Sequence, residues 1–197
     1  GHLLPGLEPT GIPSNLQNTI YPFNYNRLDE LQRLVRDQDI GVIKMEVSRN
    51  HGPEPGFLEG VRKLASDNGI VLIFDECTSG FRQTFGGLHK LYGIEPDMAV
   101  FGKALGNGYS ITATIGKREI MEAAQTSFIS STFWTERIGP TAALKTLEVM
   151  ERLRSWTIVT EKGQAIQKRW LALAEKYDLK LNVSGLPALS TFSFESI

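Results

Sequence analysis

Residues Ile70–Arg82, IVLIFDECTSGFR, run five consecutive apolar side chains into an aspartate. A short unbroken apolar strand of this kind belongs inside a parallel sheet, buried on both faces. The stretch before it, GFLEGVRKLASDNG (56–69), has helical spacing with Gly69 placed to end the helix. Before that, IGVIKME (40–46) has the β-branched content of a strand. Together they read as a βαβ unit, and an α/β fold with a mostly parallel sheet follows.

Upstream, NRLDELQRLVRD (26–37) places Leu28, Leu31, Leu34 and Val35 on one helical face, with Asn26 available as a cap and acids in the first turn. Downstream, DMAVFG (97–102) and ITATIG (111–116) supply two more strands. KREIMEAA (117–124), GPTAALKTLEVMERLRSW (139–156) and the stretch from Thr157 to Leu179 read as helices. The tail from Leu179 alternates like strands, so residues 1–154 read as part of a large domain and 155–197 as the start of a small α+β unit.

Lysine and arginine total 21 against 22 acidic residues, leaving no basic field to attract nucleic acid or an anionic membrane. No apolar run approaches bilayer length and no basic leader precedes an apolar segment, so a cytoplasmic protein is expected. Cys77 is the only cysteine, and His2, His51 and His89 are too scattered to suggest a metal cluster. There is no phosphate-loop GxxxxGK[ST], no third glycine of a dinucleotide fingerprint, no GxSxG and no HExxH.

In open parallel sheets ligands bind beyond the carboxyl ends of the strands, where Asp75 stands. Alone, Asp75 and Glu76 read equally as strand caps or as rim partners of Arg82. Lys103 follows the strand DMAVF in a loop with Gly102, Gly106 and Gly108, which can present an amine closely to a ligand. Lys44, inside a strand and pointing to one face, and Lys117, which leads into a helix and is expected to be solvent exposed, are the weaker candidates. A strand-end acid and a loop amine suit a pyridoxal phosphate site, the acid holding the ring nitrogen and the amine forming a Schiff base with the aldehyde.

DECTSGFR (75–82), EPDMAVFGKALGNG (95–108), the preceding PGFLEGVRKLASDNG and the following STFWTERIGPTAALKTLEVME (131–151) occur in order. In these motifs the chain resembles the class III, fold type I aminotransferases, most closely the branch containing glutamate-1-semialdehyde 2,1-aminomutase and sugar-pathway aminotransferases. The resemblance implies a three-layer large domain, with helices on both faces of a mostly parallel sheet, and pyridoxal 5'-phosphate as cofactor. It implies that Lys103 forms the internal aldimine and moves the substrate proton, and that Asp75 pairs with the pyridine nitrogen. Cys77 then packs on the ring, where the family usually has valine, and Thr132 reaches the cofactor phosphate of the other subunit of a homodimer. Glu46, followed by Val47 where the family usually has proline, reads as structural, and His51 as a solvated loop residue.

The expected reaction transfers an amino group from a small-molecule donor to a carbonyl acceptor; the alternatives are an intramolecular aminomutase and an inactive fragment. The last arises because the family's upstream phosphate loop and ring-stacking aromatic have no counterpart in this sequence. A piece of a larger enzyme is therefore expected, starting after that aromatic and ending within the small domain.

Overall fold

The computed structural model describes residues 10–11, 13–16, 18–129 and 135–194. Its centre is a four-stranded sheet ordered β1 (Val42–Met45), β2 (Val71–Asp75), β3 (Met98–Phe101) and β4 (Ala113–Gly116). The first three strands run parallel and β4 runs antiparallel beside β3. Helices α1 (Leu28–Asp37) and α2 (Phe57–Asp67) precede β1 and β2 respectively.

Register explains which side chains meet. Ile43 pairs with Leu72 and Met45 with Phe74, so these four share one face of the sheet. Leu31 of α1 and Phe57, Leu58 and Val61 of α2 close that face into the main core. Burying Leu58, Leu72 and Phe74 completely contributes about 1.5–3 kcal/mol each. On the other face Val71, Ile73 and Asp75 stay half-buried, so β2 is sealed on one side only among the described residues. That open face carries Lys44, which matters below.

Helix α2 ends as its sequence predicts. Gly69 has φ +66°, and the amides of Gly69 and Ile70 return to the carbonyls of Ser66 and Ala65, a Schellman closure that delivers the chain straight into β2. Asn26 does not cap α1. Its φ is +63°, the cap position belongs to Arg27, and the Asn26 side chain instead accepts from the Glu54 amide at 2.9 Å and donates to Gly52 O at 3.1 Å. The asparagine thus pins the loop before α2, a tertiary use that local spacing does not reveal.

At the amino end of β3, Asp97 accepts from Arg62, Lys117 and the Leu72 amide at 2.8–2.9 Å. Lys117 is exposed, as expected, yet it also ties into this cluster through Asp97. The stretch 117–124 forms only one α-turn, α3 (Arg118–Met121), before continuing as a 3₁₀ helix.

Helices α4 (Ile138–Leu153) and α5 (Ser155–Lys176) meet at Arg154, which is left-handed at φ 49° and ψ 48°. The sequence reading carried the first helix through Trp156; the break comes earlier because Arg154 leaves the right-handed region. A hairpin of β5 (Leu181–Ser184) and β6 (Thr191–Phe194) follows. Its connection lies so close to α5 that a Cβ on Gly163 would stand 1.9 Å from Pro187 O. Leu186 in that connection is buried in the main core. No helix of the described residues is long and apolar enough to cross a membrane, and no cluster of three metal-ligating side chains occurs among them.

Candidate active site

Because β1–β3 are parallel, their carboxyl ends lie together, bringing Asp75, at the end of β2, alongside Val100 of β3. Lys103 follows two residues after β3, on the same edge of the sheet. Asp75 Oδ1 accepts from the Cys77 amide at 3.1 Å and Oδ2 from Lys44 Nζ at 2.8 Å. Partial burial works to raise the Asp75 carboxyl, but the Lys44 ammonium and the Cys77 N–H outweigh it and hold the group below its usual value. Asp75 is thus a fixed anion at neutral pH. Lys44, set aside in the sequence reading because it lies inside a strand, is its partner; Arg82 is not.

Lys103 has φ +46°, a left-handed backbone that costs a residue with a Cβ about 1–2 kcal/mol. Strain of this kind persists where the surroundings enforce it. Two such features are visible: Lys103 O accepts from both Gly106 N and Asn107 N, and a Cβ on Gly106 would stand 2.1 Å from Tyr109 O. The Lys103 ammonium donates to Thr78 Oγ1 at 2.5 Å, while Thr78 O accepts from Arg82 Nε at 2.6 Å. Thr78 therefore links the two cations, a role that becomes visible only once the loop is folded.

Cys77 lies close by. A Cβ built on Gly102 would lie 3.4 Å from its Sγ, an ordinary contact distance, so the thiol packs against the backbone just before Lys103. Burial and the Asp75 charge raise the thiol above its ordinary value, keeping it neutral at pH 7. Thr132 lies outside the described residues. Glu46 makes a 3.5 Å ion pair with Arg49, and His51 is exposed; neither joins the group.

Beside Lys103 is a cavity of about 1070 Å³. Phe81, Arg82, Tyr109, Arg137 and Val149 contribute to its wall, and among the described residues no aspartate or glutamate does; Asp75 and Cys77 are not in the lining. Arg82 is half-buried without a carboxylate partner among the described residues, and burial alone lowers its guanidinium from the usual value. Lys145, also in the wall, is neutralised by Glu148 at 2.7 Å.

The profile of the class-III aminotransferases matches residues 30–196. The chain belongs to this family. Among similar class-III relatives, the 3-aminobutyryl-CoA aminotransferase of Cloacimonas acidaminovorans is 40% identical across 94% of this chain and 47% of its own length. The glutamate-1-semialdehyde 2,1-aminomutase 2 of Lachnoclostridium phytofermentans is 34% identical across 95% and 46%. The chain spans about half the length of the curated relatives it matches. In fold it is similar to the FumI protein of Sphingopyxis sp. MTA144, solved in its PLP internal aldimine form, with TM-score 0.85 at 24% identity over 89% of this chain and 44% of that one. An omega-transaminase from Sphaerobacter thermophilus gives TM-score 0.86 at 22% identity over 95% and 45%. The class-III fold is thus a property of this chain, with the mostly parallel sheet and helices expected of it.

Proposed function

We propose that the protein is a pyridoxal-phosphate-dependent aminotransferase that moves an amino group from a small-molecule donor to a carbonyl acceptor. The observation that carries this reading is the convergence, in a chain of this family, of an ionised strand-end carboxylate and a backbone-strained loop lysine at one edge of the sheet. The residues fit the cofactor chemically: Asp75 is an anion suited to a protonated pyridine nitrogen, Cys77 is a neutral thiol suited to a ring face, and Lys103 is a primary amine suited to an aldehyde. Bound there, pyridoxal phosphate supplies an electron sink for the bonds next to the substrate nitrogen.

In this reading Asp75 holds the ring nitrogen's proton by a charge-assisted hydrogen bond. Lys103 is the attachment point and then, once released, the base that carries a proton between substrate and cofactor carbons. Thr78 orients the Lys103 amine through the 2.5 Å hydrogen bond and keeps it at the sheet edge whenever it is not attached to the cofactor. Thr132 would reach the cofactor phosphate of a second copy, giving a homodimer with shared sites, in the cytoplasm. The left-handed break at Arg154 supports a boundary between a cofactor-binding part, 1–154, and a smaller part from 155.

Treatment of the protein with pyridoxal phosphate and borohydride tests the attachment. The reduced cofactor's mass will appear on the peptide containing Lys103 and will be missing from Lys103→Ala. Labelling of Lys44 or another lysine in its place would reject the assignment. The similarity to an aminomutase favours a second reading, intramolecular amino transfer; isomerisation of one amino-aldehyde without any separate donor or acceptor would establish it over transamination.

The cavity's lining supports an acidic substrate. Arg82 supplies a desolvated cation without a counter-ion among the described residues, and Arg137 adds a second positive charge. Arg82→Gln should raise KM for a carboxylate-bearing amino donor by about 10–100-fold, the value of one charge-assisted hydrogen bond. KM for a neutral primary amine should stay within a factor of two or so of the parent value. Equal effects on both donors would remove Arg82 from substrate recognition.

A further inference from the structure

The proposed reaction needs one partner for Asp75, but the structure supplies its carboxylate with a cation of its own. Lys44 sits on β1 opposite Ile73, so its side chain shares the open face of the sheet with Ile73 and Asp75. Its Nζ is 2.8 Å from Asp75 Oδ2, while Oδ1 is held by the Cys77 amide. Both oxygens are thus engaged before any ligand arrives. Among the described residues the other ionisable group acting on Asp75 is the Cys77 thiol, which in turn feels the charge of Lys103 from the loop after β3.

We propose that Lys44 is a positioning residue for the cofactor's ring nitrogen, fixing the Asp75 carboxylate and, as a neighbouring positive charge, limiting how firmly the pyridine keeps its proton. The physical basis is competition. A carboxylate shared between an ammonium and a pyridinium attracts each less than it would attract either alone, and the two cations repel one another across it. Lys44 would therefore set the ring nitrogen less basic than Asp75 alone would make it. The lysine is half-exposed, so solvent moderates this effect without abolishing it. The inference rests on the assignment of Asp75 to the ring nitrogen.

The test uses 4'-deoxypyridoxine 5'-phosphate, a cofactor analogue without the aldehyde, carrying ¹⁵N in its ring; its binding does not need Lys103 chemistry. The ring ¹⁵N shift of the bound analogue is titrated against pH in four proteins. Lys44→Met should raise the apparent pKa of the ring nitrogen by about one unit relative to the parent, the size expected for removing a partly screened neighbouring charge. Lys44→Arg, which keeps the charge, should titrate like the parent. Asp75→Asn should lower the ring value markedly. A Lys44→Met protein that titrates like the parent, or below it, while Asp75→Asn shifts downward, overturns the role of Lys44 and leaves the reading of Asp75 standing. An unshifted Asp75→Asn, or no binding of the analogue by the parent protein, overturns the Asp75 assignment and the Lys44 role with it.

Discussion

Lys103→Gly will melt higher than the natural protein and will carry out essentially no amino transfer. The two effects have separate causes. Lys103 occupies a left-handed backbone at φ +46°, where any Cβ is unfavourable, and glycine relieves that cost. A gain of about 1 kcal/mol corresponds to roughly 2–4 °C in a chain of this size. In the role proposed for Lys103, removing the amine would also remove the covalent anchor and the proton carrier; loss of general acid–base transfer alone lowers turnover by about 10²–10⁴-fold. Lys103→Ala is the control, because it loses the amine but keeps the Cβ and so the strain. It should match Lys103→Gly in inactivity and the natural protein in melting temperature. If the glycine and alanine variants melt together, the strain at Lys103 contributes nothing to stability.

The largest loss of stability should come from Glu76→Ala. The Glu76 side chain is fully buried and takes three donors: the His89 amide at 3.0 Å, His89 Nδ1 at 2.9 Å and the Ser79 hydroxyl. Because a carboxylate only accepts, His89 must carry its proton on Nδ1. Alanine leaves these donors buried and unpaired, at a cost of about 3–5 kcal/mol. Glu76→Gln keeps the shape and one acceptor oxygen, so it should cost less.

The pH dependence has a definite sign. Burial pushes the Glu76 carboxyl up, but the hydrogen bonds from the His89 ring, the Ser79 hydroxyl and the His89 amide outweigh it, so the folded value lies below the usual one. The stabilisation is therefore complete above the unfolded carboxyl value, about 4.3, and is lost as pH falls through the lower folded value. Urea midpoints measured from pH 7 to pH 3 should fall more steeply on the acid side for the natural protein than for Glu76→Gln. Parallel acid limbs would show that Glu76 does not contribute this dependence.

The parts of this molecule legible in its sequence are those decided by local pattern. The apolar run at Ile70–Phe74, the glycine after α2 and the position of Lys103 after a strand each constrain the chain within a few residues, and the sheet assembled accordingly. Parallel order then brought Asp75 and Lys103 to one edge, which follows from topology alone. What escaped were long-range side-chain choices. Lys44 meets Asp75 across 31 residues, Asn26 meets Glu54 across 28 and Lys117 meets Asp97 across 20. Each is a polar residue whose partner is set by strand register or loop packing, neither of which periodicity encodes. For Lys44 there was a usable signal: Ile43 and Met45 are the buried pair on β1, so alternation already assigned Lys44 to the opposite face, the one Asp75 shares.

The kink at Arg154 has a mechanical consequence. Helix α5 is 22 residues long, about 33 Å, and is joined to α4 through this one left-handed residue. Treated as a rigid rod pivoting there, α5 would swing its far end by about 6 Å for a turn of only about 10°. Met150, Ser155 and Val159 flank that pivot and belong to the wall of the cavity beside Lys103. Near the fulcrum the same rotation moves Val159 by roughly an ångström and leaves Met150, on α4, in place, so a large excursion of the rod's tip is geared down to a fine adjustment of one side of the cavity wall.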